Sequence, residues 1–421
     1  MKILHLPSTF WPDSTGGKEV FVYYLVKAQP NDDHRVLIHR DGPPSEYDYD
    51  GIHTYVLPNA ITSDARRSYF SHVYDDLPGF DKLLDEFQPD LIHFHDFSGG
   101  ASLSHLRVCK TKNIRTVLTY HSPGQSCLQR ALIQDGKRPC SGKIDLTICT
   151  RCRYIIRGVQ PGMASLMARI PSPSMSLNKI FLRGDTQLFS DSWHEFHNNF
   201  DAIQVHARWV IDLLGINNVP KSKIRFVQMG GHPSLPAMSK NQSGALRFVF
   251  IGRCTDIKGV HLFIDAIKKL PPDPAVEVHF FGPYWEDDYG HQMQAKIGDD
   301  RRFMKPRLIP HNDVLKELQH MDVCVIPSLW PETGPYTVFD AFASHAVVLG
   351  TNYAGIAEKV RDGVDGLLFE WGNVDDLYIK LKRLYDDRQY LAALRSNIIP
   401  NKTFSEFGVD MRSLYQEIMK G

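Results

Sequence analysis

Short apolar runs alternate with longer amphipathic ones along the chain, the pattern of a parallel sheet wrapped by helices. In the first half the runs Lys2–Leu6, Arg35–His39, His53–Leu57, Leu91–Phe94, Arg115–Tyr120, Ala202–Val205 and Lys223–Val227 predict strands. The pattern restarts with LRFVFIG (246–252) and continues through VEVHFFG, PRLIP, DVCVIPS and AVVLGT, each separated by a helical pattern. Between the halves, GGHPSLPAMSKNQSGA (230–245) is rich in Gly, Pro and Ser and reads as a link. The expected organisation is therefore two doubly wound α/β domains, 1–232 and 246–402, joined by a linker at 233–245. A terminal helix at 403–421 is expected, with Phe404, Phe407, Met411, Leu414, Tyr415 and Ile418 on its apolar side. Two such domains would face each other across a cleft, with ligands at the C-terminal ends of the strands.

Bulk properties narrow this picture without redirecting it. A length of 421 residues exceeds one ordinary core, and 43% hydrophobic with 23% charged residues reads as globular. Lys+Arg and Asp+Glu are both 48, so charge gives no pointer to nucleic acid. No apolar run has the length of a membrane span, and the start, MKILHLPSTFWP, reads as a strand rather than a secretory signal. The expected location is the cytoplasm, where thiols stay reduced.

Three stretches carry candidate chemistry. In STGGKEV (14–20), Gly16 and Gly17 lack side chains at a helix start, where a phosphate could meet backbone N–H groups; a plain loop glycine pair is the alternative. In IGRCTDIKG (251–259), Arg253 and Lys258 flank the turn between a strand and a helix, a setting that suits a diphosphate. In PETGPYTVFDAFAS (331–344), Glu332 follows a strand and its loop, where a carboxylate can accept hydrogen bonds from sugar hydroxyls. Gly334 there leaves backbone N–H groups able to face a sugar or phosphate. Asp340 has two readings, a ligand group or the second acid of a capping box begun by Thr337.

On these residues the chain resembles the family 4 retaining glycosyltransferases of the GT-B fold over most of its length. IGR…KG at 251–259 and PS…E…D at 327–340 resemble the family's nucleotide-sugar domain, with Asp340 where the family has Glu. The resemblance implies that Glu332 meets the donor sugar, Asp340 the ribose, and Arg253 and Lys258 the diphosphate. It assigns Gly334, Pro335, Tyr336 and Thr337 to the donor site and places the Gly16–Gly17 pair near the donor phosphates. PDLIHFHDF (89–97) and TVLTYHS (116–122) resemble strand ends carrying histidines. The resemblance puts His121 in the active site, while His93 and His95 read as packing or hydrogen-bonding groups beneath it. The implied partners are a nucleotide-diphosphate sugar and a glycan or lipid-linked acceptor in cell-surface polysaccharide assembly, with no catalytic metal. A nucleotide-sugar epimerase and a non-catalytic binding module are the rival readings.

Two features are individual. Four of the seven cysteines, Cys127, Cys140, Cys149 and Cys152, fall in one segment and end in a C-x-x-C, a spacing that suits a structural zinc ion. An iron–sulfur centre is the alternative. From 146 to 184 there is no Asp or Glu up to Gly184, while Arg151, Arg153, Arg157, Arg169, Lys179 and Arg183 interleave with apolar residues. That pattern reads as a contact for a membrane surface at the inner face of the cell membrane, or for an acidic acceptor. A solvated basic face is the plain alternative.

Overall fold

The computed structural model describes residues 1–14, 16–59, 74, 76–95, 97, 101–171, 181–238 and 244–420. They form two compact units, Met1–Gln228 with Ser405–Gly421, and Met229–Phe404. Among the described residues no helix is long and apolar enough to cross a membrane.

The first unit contains strands β1 (Lys2–Leu6), β2 (Asp33–Arg40), β3 (Ser45–Tyr49), β4 (Ile52–Pro58), β5 (Leu91–Phe94), β6 (Arg115–Thr119), β7 (Ile133–Gln134), β8 (Arg138–Pro139), β9 (Ala202–Val205) and β10 (Ile224–Phe226). Eight of them make one sheet in the order β10-β9-β6-β5-β1-β2-β4-β3. Its pairings are parallel except at the β3 edge, which runs antiparallel to β4. β3 was not expected from the pattern because the alternation of Tyr47 and Tyr49 with Glu46 and Asp48 is short and carries no aliphatic residue; its antiparallel pairing with β4 makes it a strand. β7 and β8 form a separate hairpin inside the cysteine-rich segment.

The second unit holds β11 (Leu246–Ile251), β12 (Val276–Phe281), β13 (Val323–Ile326), β14 (Val347–Thr351) and β15 (Gly366–Phe369), all parallel, in the order β12-β11-β13-β14-β15. PRLIP, expected as a strand, is not one. Pro306 and Pro310 bracket it, and only Arg307 bridges to Phe281. The expected linker also differs. In its described part, 233–238, Leu235 N–H donates to Ala343 O (2.8 Å) and His345 Nε2 bonds Leu235 O (2.8 Å), so it is fastened to the second unit. Residues 239–243 lie outside the described residues.

The terminal helix, Phe404–Lys420, belongs to the first unit from Ser405 onward. Phe407, Met411, Leu414, Tyr415 and Ile418 are buried, each burial worth about 1.5–3 kcal/mol. The helix comes so close to Ala28 that a Cβ on Gly408 would lie 2.4 Å from Ala28 Cβ, so only glycine fits. Gln29 Nε2 donates to Gly408 O at 2.7 Å, and Arg412 and Glu417 pair with Asp32 and Arg225.

Candidate active site

In the second unit the residues singled out by sequence gather at the C-terminal ends of β11 and β13. After β11 the chain makes a short 3-10 turn, Asp256–Lys258, and enters the helix Val260–Lys268 through Gly259. Gly259 sits at φ +72°, and a Cβ there would lie 1.9 Å from Pro327 O, so this turn can press against the β13 loop only with glycine. The two loops are also stitched by backbone bonds, Leu329 N–H and Trp330 N–H both donating to Ile257 O (2.9 and 3.1 Å).

That stitching brings Lys258 to Glu332. Lys258 Nζ donates to Glu332 Oε1 at 2.6 Å, and Ser328 Oγ donates to the same oxygen at 3.0 Å. Glu332 O in turn accepts from Gly355 N–H at 2.8 Å, which ties the acid to the loop after β14. Sequence reasoning gave Lys258 and Glu332 separate ligand roles; the fold makes them partners. Ser328 and Gly355 were missed, although the PS dipeptide before the acid was visible. Arg253 is exposed, and its guanidinium makes no ion pair among the described residues.

Thr337 does not open a capping box. The helix Tyr336–Ala343 starts earlier, with Pro335 in the N-cap place and no side-chain cap, so Asp340 lies beyond the first turn. Asp340 keeps part of its surface open, yet its carboxyl is desolvated enough to push its pKa up to about 7. Gly334, Pro335, Tyr336 and Thr337 run from the acid loop into this helix.

In the first unit, Gly16 precedes the helix Gly17–Lys27. The position expected to welcome an anion already faces a carboxylate: a Cβ on Gly16 would lie 2.7 Å from Glu19 Oε2. Glu19 is buried, accepts from Thr9 Oγ1 and itself complements the helix N-terminus. His121, two residues past β6, bonds His95 Nδ1 through its Nε2 at 3.1 Å, and burial holds its pKa well below the usual histidine value. His93 and His95 are fully buried and hydrogen bonded.

The four clustered cysteines lie near enough to act on one another electrostatically. Cys149 and Cys152 lie on the first turns of the helix Leu146–Ile156, whose N-terminus is capped by Asp145 accepting from Thr147 and Ile148 N–H (2.9 and 2.7 Å). Asp135 N–H, at the β7–β8 turn, donates to Cys152 Sγ at 3.1 Å, and Gly142 N–H to Cys140 Sγ at 3.4 Å. Burial, followed by the neighbouring thiols, pushes Cys149 up to about 12 and Cys152 to about 11. Among the described residues no three of these sulfurs lie within 4.8 Å of one another, a spacing that ring nitrogens of His5, His93 and His95 do meet.

The basic segment divides in two. Arg153 is buried and pairs with Asp185 (2.5 Å), Arg151 pairs with Asp135 (2.9 Å), and Arg183 donates to Ala168 O (2.8 Å), so these three cations hold local structure. Arg157 and Arg169 face outward beside exposed Ile156, Met163, Leu166 and Ile170. Lys179 lies outside the described residues.

Comparison with known proteins gives consistent findings. Residues 245–387 match the profile described as Glycosyl transferases group 1, and residues 15–156 that described as Glycosyltransferase Family 4. The chain is 25% identical over 167 residues to the UDP-Gal:alpha-D-GlcNAc-diphosphoundecaprenol alpha-1,3-galactosyltransferase of Escherichia coli, covering 39% of this chain and 42% of that protein. It is 24% identical over 199 residues to the amylovoran biosynthesis glycosyltransferase AmsK of Erwinia amylovora, covering 45% of this chain and 48% of AmsK. The chain thus spans less than half the length of these relatives. The crystal structure of Anabaena HepE with UDP superposes with a TM-score of 0.65 at 15% identity, covering 99% of this chain and 100% of HepE. Sucrose-phosphate synthase from Thermosynechococcus elongatus gives a TM-score of 0.65 at 14% identity, with 100% of both chains covered. At such identities these structures establish a shared two-domain α/β fold.

Proposed function

The chain belongs to the family 4 glycosyltransferases of the GT-B fold, and from that premise we propose that it transfers a hexosyl group, with retention at the anomeric carbon, from a nucleotide-diphosphate sugar to a glycan or lipid-linked acceptor. The observation that carries this reading is the 2.6 Å contact between Lys258 Nζ and Glu332 Oε1, where a phosphate-binding cation and a sugar-binding acid meet. An ammonium has three donors, so Lys258 can hold Glu332 and still reach a phosphate oxygen. As the bond from the anomeric carbon to the diphosphate breaks, Lys258, Arg253 and the N–H groups opening the helix Val260–Lys268 meet the growing negative charge. The acceptor oxygen bonds to the anomeric carbon on the same face, and its proton passes to the departing phosphate oxygen. His121 is read as lining this site, and Asp340 as accepting from the ribose hydroxyls. By their names, one relative is a galactosyltransferase acting on an alpha-D-GlcNAc-diphosphoundecaprenol and the other serves amylovoran biosynthesis, which supports a polysaccharide role.

The test is incubation with a panel of nucleotide sugars, with and without lipid-linked acceptor, in the presence of anionic vesicles at low salt. Acceptor-dependent release of nucleoside diphosphate and a product with the donor's anomeric configuration are expected. An altered sugar without acceptor would reveal an epimerase, and binding without turnover a binding module. Vesicle association is expected through Met163, Leu166, Ile170, Arg157 and Arg169; a protein that stays in solution overturns that part.

We further infer that the four cysteines hold a structural zinc ion. The support is two thiols at i, i+3 on one helix, two more on either side of the β7–β8 hairpin, and backbone N–H groups aimed at Cys140 and Cys152. The purified protein is expected to carry one zinc per chain. Cys149→Ser with Cys152→Ser should remove it and lower stability by about 3 kcal/mol, roughly 6–12 °C in Tm for a unit of this size. Folded wild-type protein without zinc, melting where the variant melts, rejects the site.

A further inference from the structure

Four histidines on adjacent strands of the first sheet are hydrogen bonded in series. His34 Nδ1 meets His5 Nε2 at 2.9 Å, His5 Nδ1 meets His95 Nε2 at 2.9 Å, and His95 Nδ1 meets His121 Nε2 at 3.1 Å. His34 and His5 lie on β2 and β1, and His95 and His121 follow β5 and β6, so the row crosses four neighbouring strands of the sheet order. His5 and His95 are fully buried, and His34 is 8% exposed. Burial keeps His5, His95 and His121 well below the usual histidine range and His34 at about 4, so the row is neutral at pH 7.

Every link joins an Nδ1 to the next Nε2, in the same sense. A neutral imidazole has one donor and one acceptor nitrogen. Two arrangements therefore satisfy all three links, Nδ1–H throughout or Nε2–H throughout. A mixed row sets two lone pairs or two N–H groups against each other, and one such unmade buried bond disfavours it by about tenfold or more. The His34 end favours one of the two. Among the described residues, His34 Nε2 is buried without a hydrogen-bond partner. Nδ1–H throughout leaves a lone pair there, whereas Nε2–H throughout leaves an orphaned N–H, the rarer state in folded proteins. The geometry points to His34, His5 and His95 as positioning residues that lock His121 as the neutral Nδ1–H tautomer, a hydrogen-bond donor on the side away from the row.

His93 is not part of this row and does not bring a metal to it. Thr119 Oγ1 donates to Gln204 Oε1 (2.8 Å), so it accepts from His93 Nε2–H (2.7 Å), and His93 Nδ1 accepts from Tyr415 O–H (2.7 Å). With His5 and His95 bonded to each other, the nitrogens of this trio are already committed.

The importance of His121 for transfer rests on the proposed function, but its tautomer is read without any substrate. In protein labelled with ¹⁵N-histidine, long-range ¹H–¹⁵N spectra at pH 7 should show protonated Nδ1 and bare Nε2 at His5, His95 and His121. His34→Asp places an oxygen that only accepts where Nδ1 stood, and should flip all three to Nε2–H. His34→Asn, able to donate or accept, should leave them unchanged. If the proposed function holds, His34→Asp also weakens donor binding by about tenfold without abolishing turnover. Wild-type Nε2–H or mixed tautomers, a metal-bound imidazole in the row, or a flip at His5 that does not reach His121 would each overturn the inference. The wild-type spectrum decides the tautomer even if His34→Asp does not fold.

Discussion

Glu332→Gln is expected to lower kcat/KM for transfer by about 10²–10⁴-fold while the protein keeps its fold. The expectation comes from where the charge is needed. Loss of one preorganised charged contact at a reacting centre typically removes two to three orders of magnitude, and Glu332 holds Lys258 as well as being the proposed sugar contact. Its side chain is 15% exposed and that of Lys258 22%, so neither charge is fully screened. Glutamine retains the shape and an oxygen for Ser328, but leaves Lys258 without its counter-charge. The backbone bond from Gly355 N–H to residue 332 is unaffected, which is why unfolding is not expected. Lys258→Met should lose a similar factor, and the double variant little more than either single change, because the two act as one unit. Steady-state kinetics beside thermal melts check this. Glu332→Gln activity within tenfold of wild type would remove the residue from the mechanism.

Asp340→Asn should make the protein more stable and its donor binding weaker. The carboxyl titrates at about 7 when folded, against an ordinary value of 3.8, because burial disfavours its charged form. Between those values the folded protein holds a proton that the unfolded chain has released. Stability therefore falls as pH rises from 3.8 to about 7 and is level above it. Asparagine removes this penalty, a gain of about 1–4 kcal/mol at pH 8 and close to none at pH 4. Donor affinity in the wild type should rise as pH passes 7, when the carboxylate becomes able to accept from both ribose hydroxyls, and that rise should vanish in Asp340→Asn. Melting curves and donor titrations at pH 5 and pH 8 measure both. An equal change in Tm at the two pH values would mean that the carboxyl is not desolvated. Such a residue, destabilising by itself and without a side-chain partner among the described residues, is what a binding site tends to retain.

Much of the architecture was legible because buried parallel strands are short apolar runs, and Lys2–Leu6, Leu91–Phe94 and Ala202–Val205 match the expected boundaries. β3 escaped because its apolar signal, Tyr47 and Tyr49 alternating with acids, is short and only half-buried. PRLIP misled because apolar content was read without weighting its two prolines. The site residues were legible one at a time, from residue type beside a strand end. Their relations were not. Lys258 and Glu332 are 74 positions apart, and the seating of Gly259 under Pro327 with the backbone bonds to Ile257 O makes them touch. The histidine row needed sheet register, in which His5 stands opposite His93 and two residues from it His95 continues on the same face. The one local signal was the H-x-H at 93–95.

The terminal helix gives the chain a timetable. The bonds from Gln29 to Gly408 and from His93 to Tyr415 span 379 and 322 positions, and the whole second unit is made between their two ends. On the ribosome, residues 229–404 can emerge and fold while the first sheet still lacks the cover that Phe407, Met411 and Leu414 provide. Synthesis of residues 405–420 is thus the event that completes the first unit. A chain cut just after residue 404 would leave a folded second unit attached to a first unit with an open apolar face, a product for quality control.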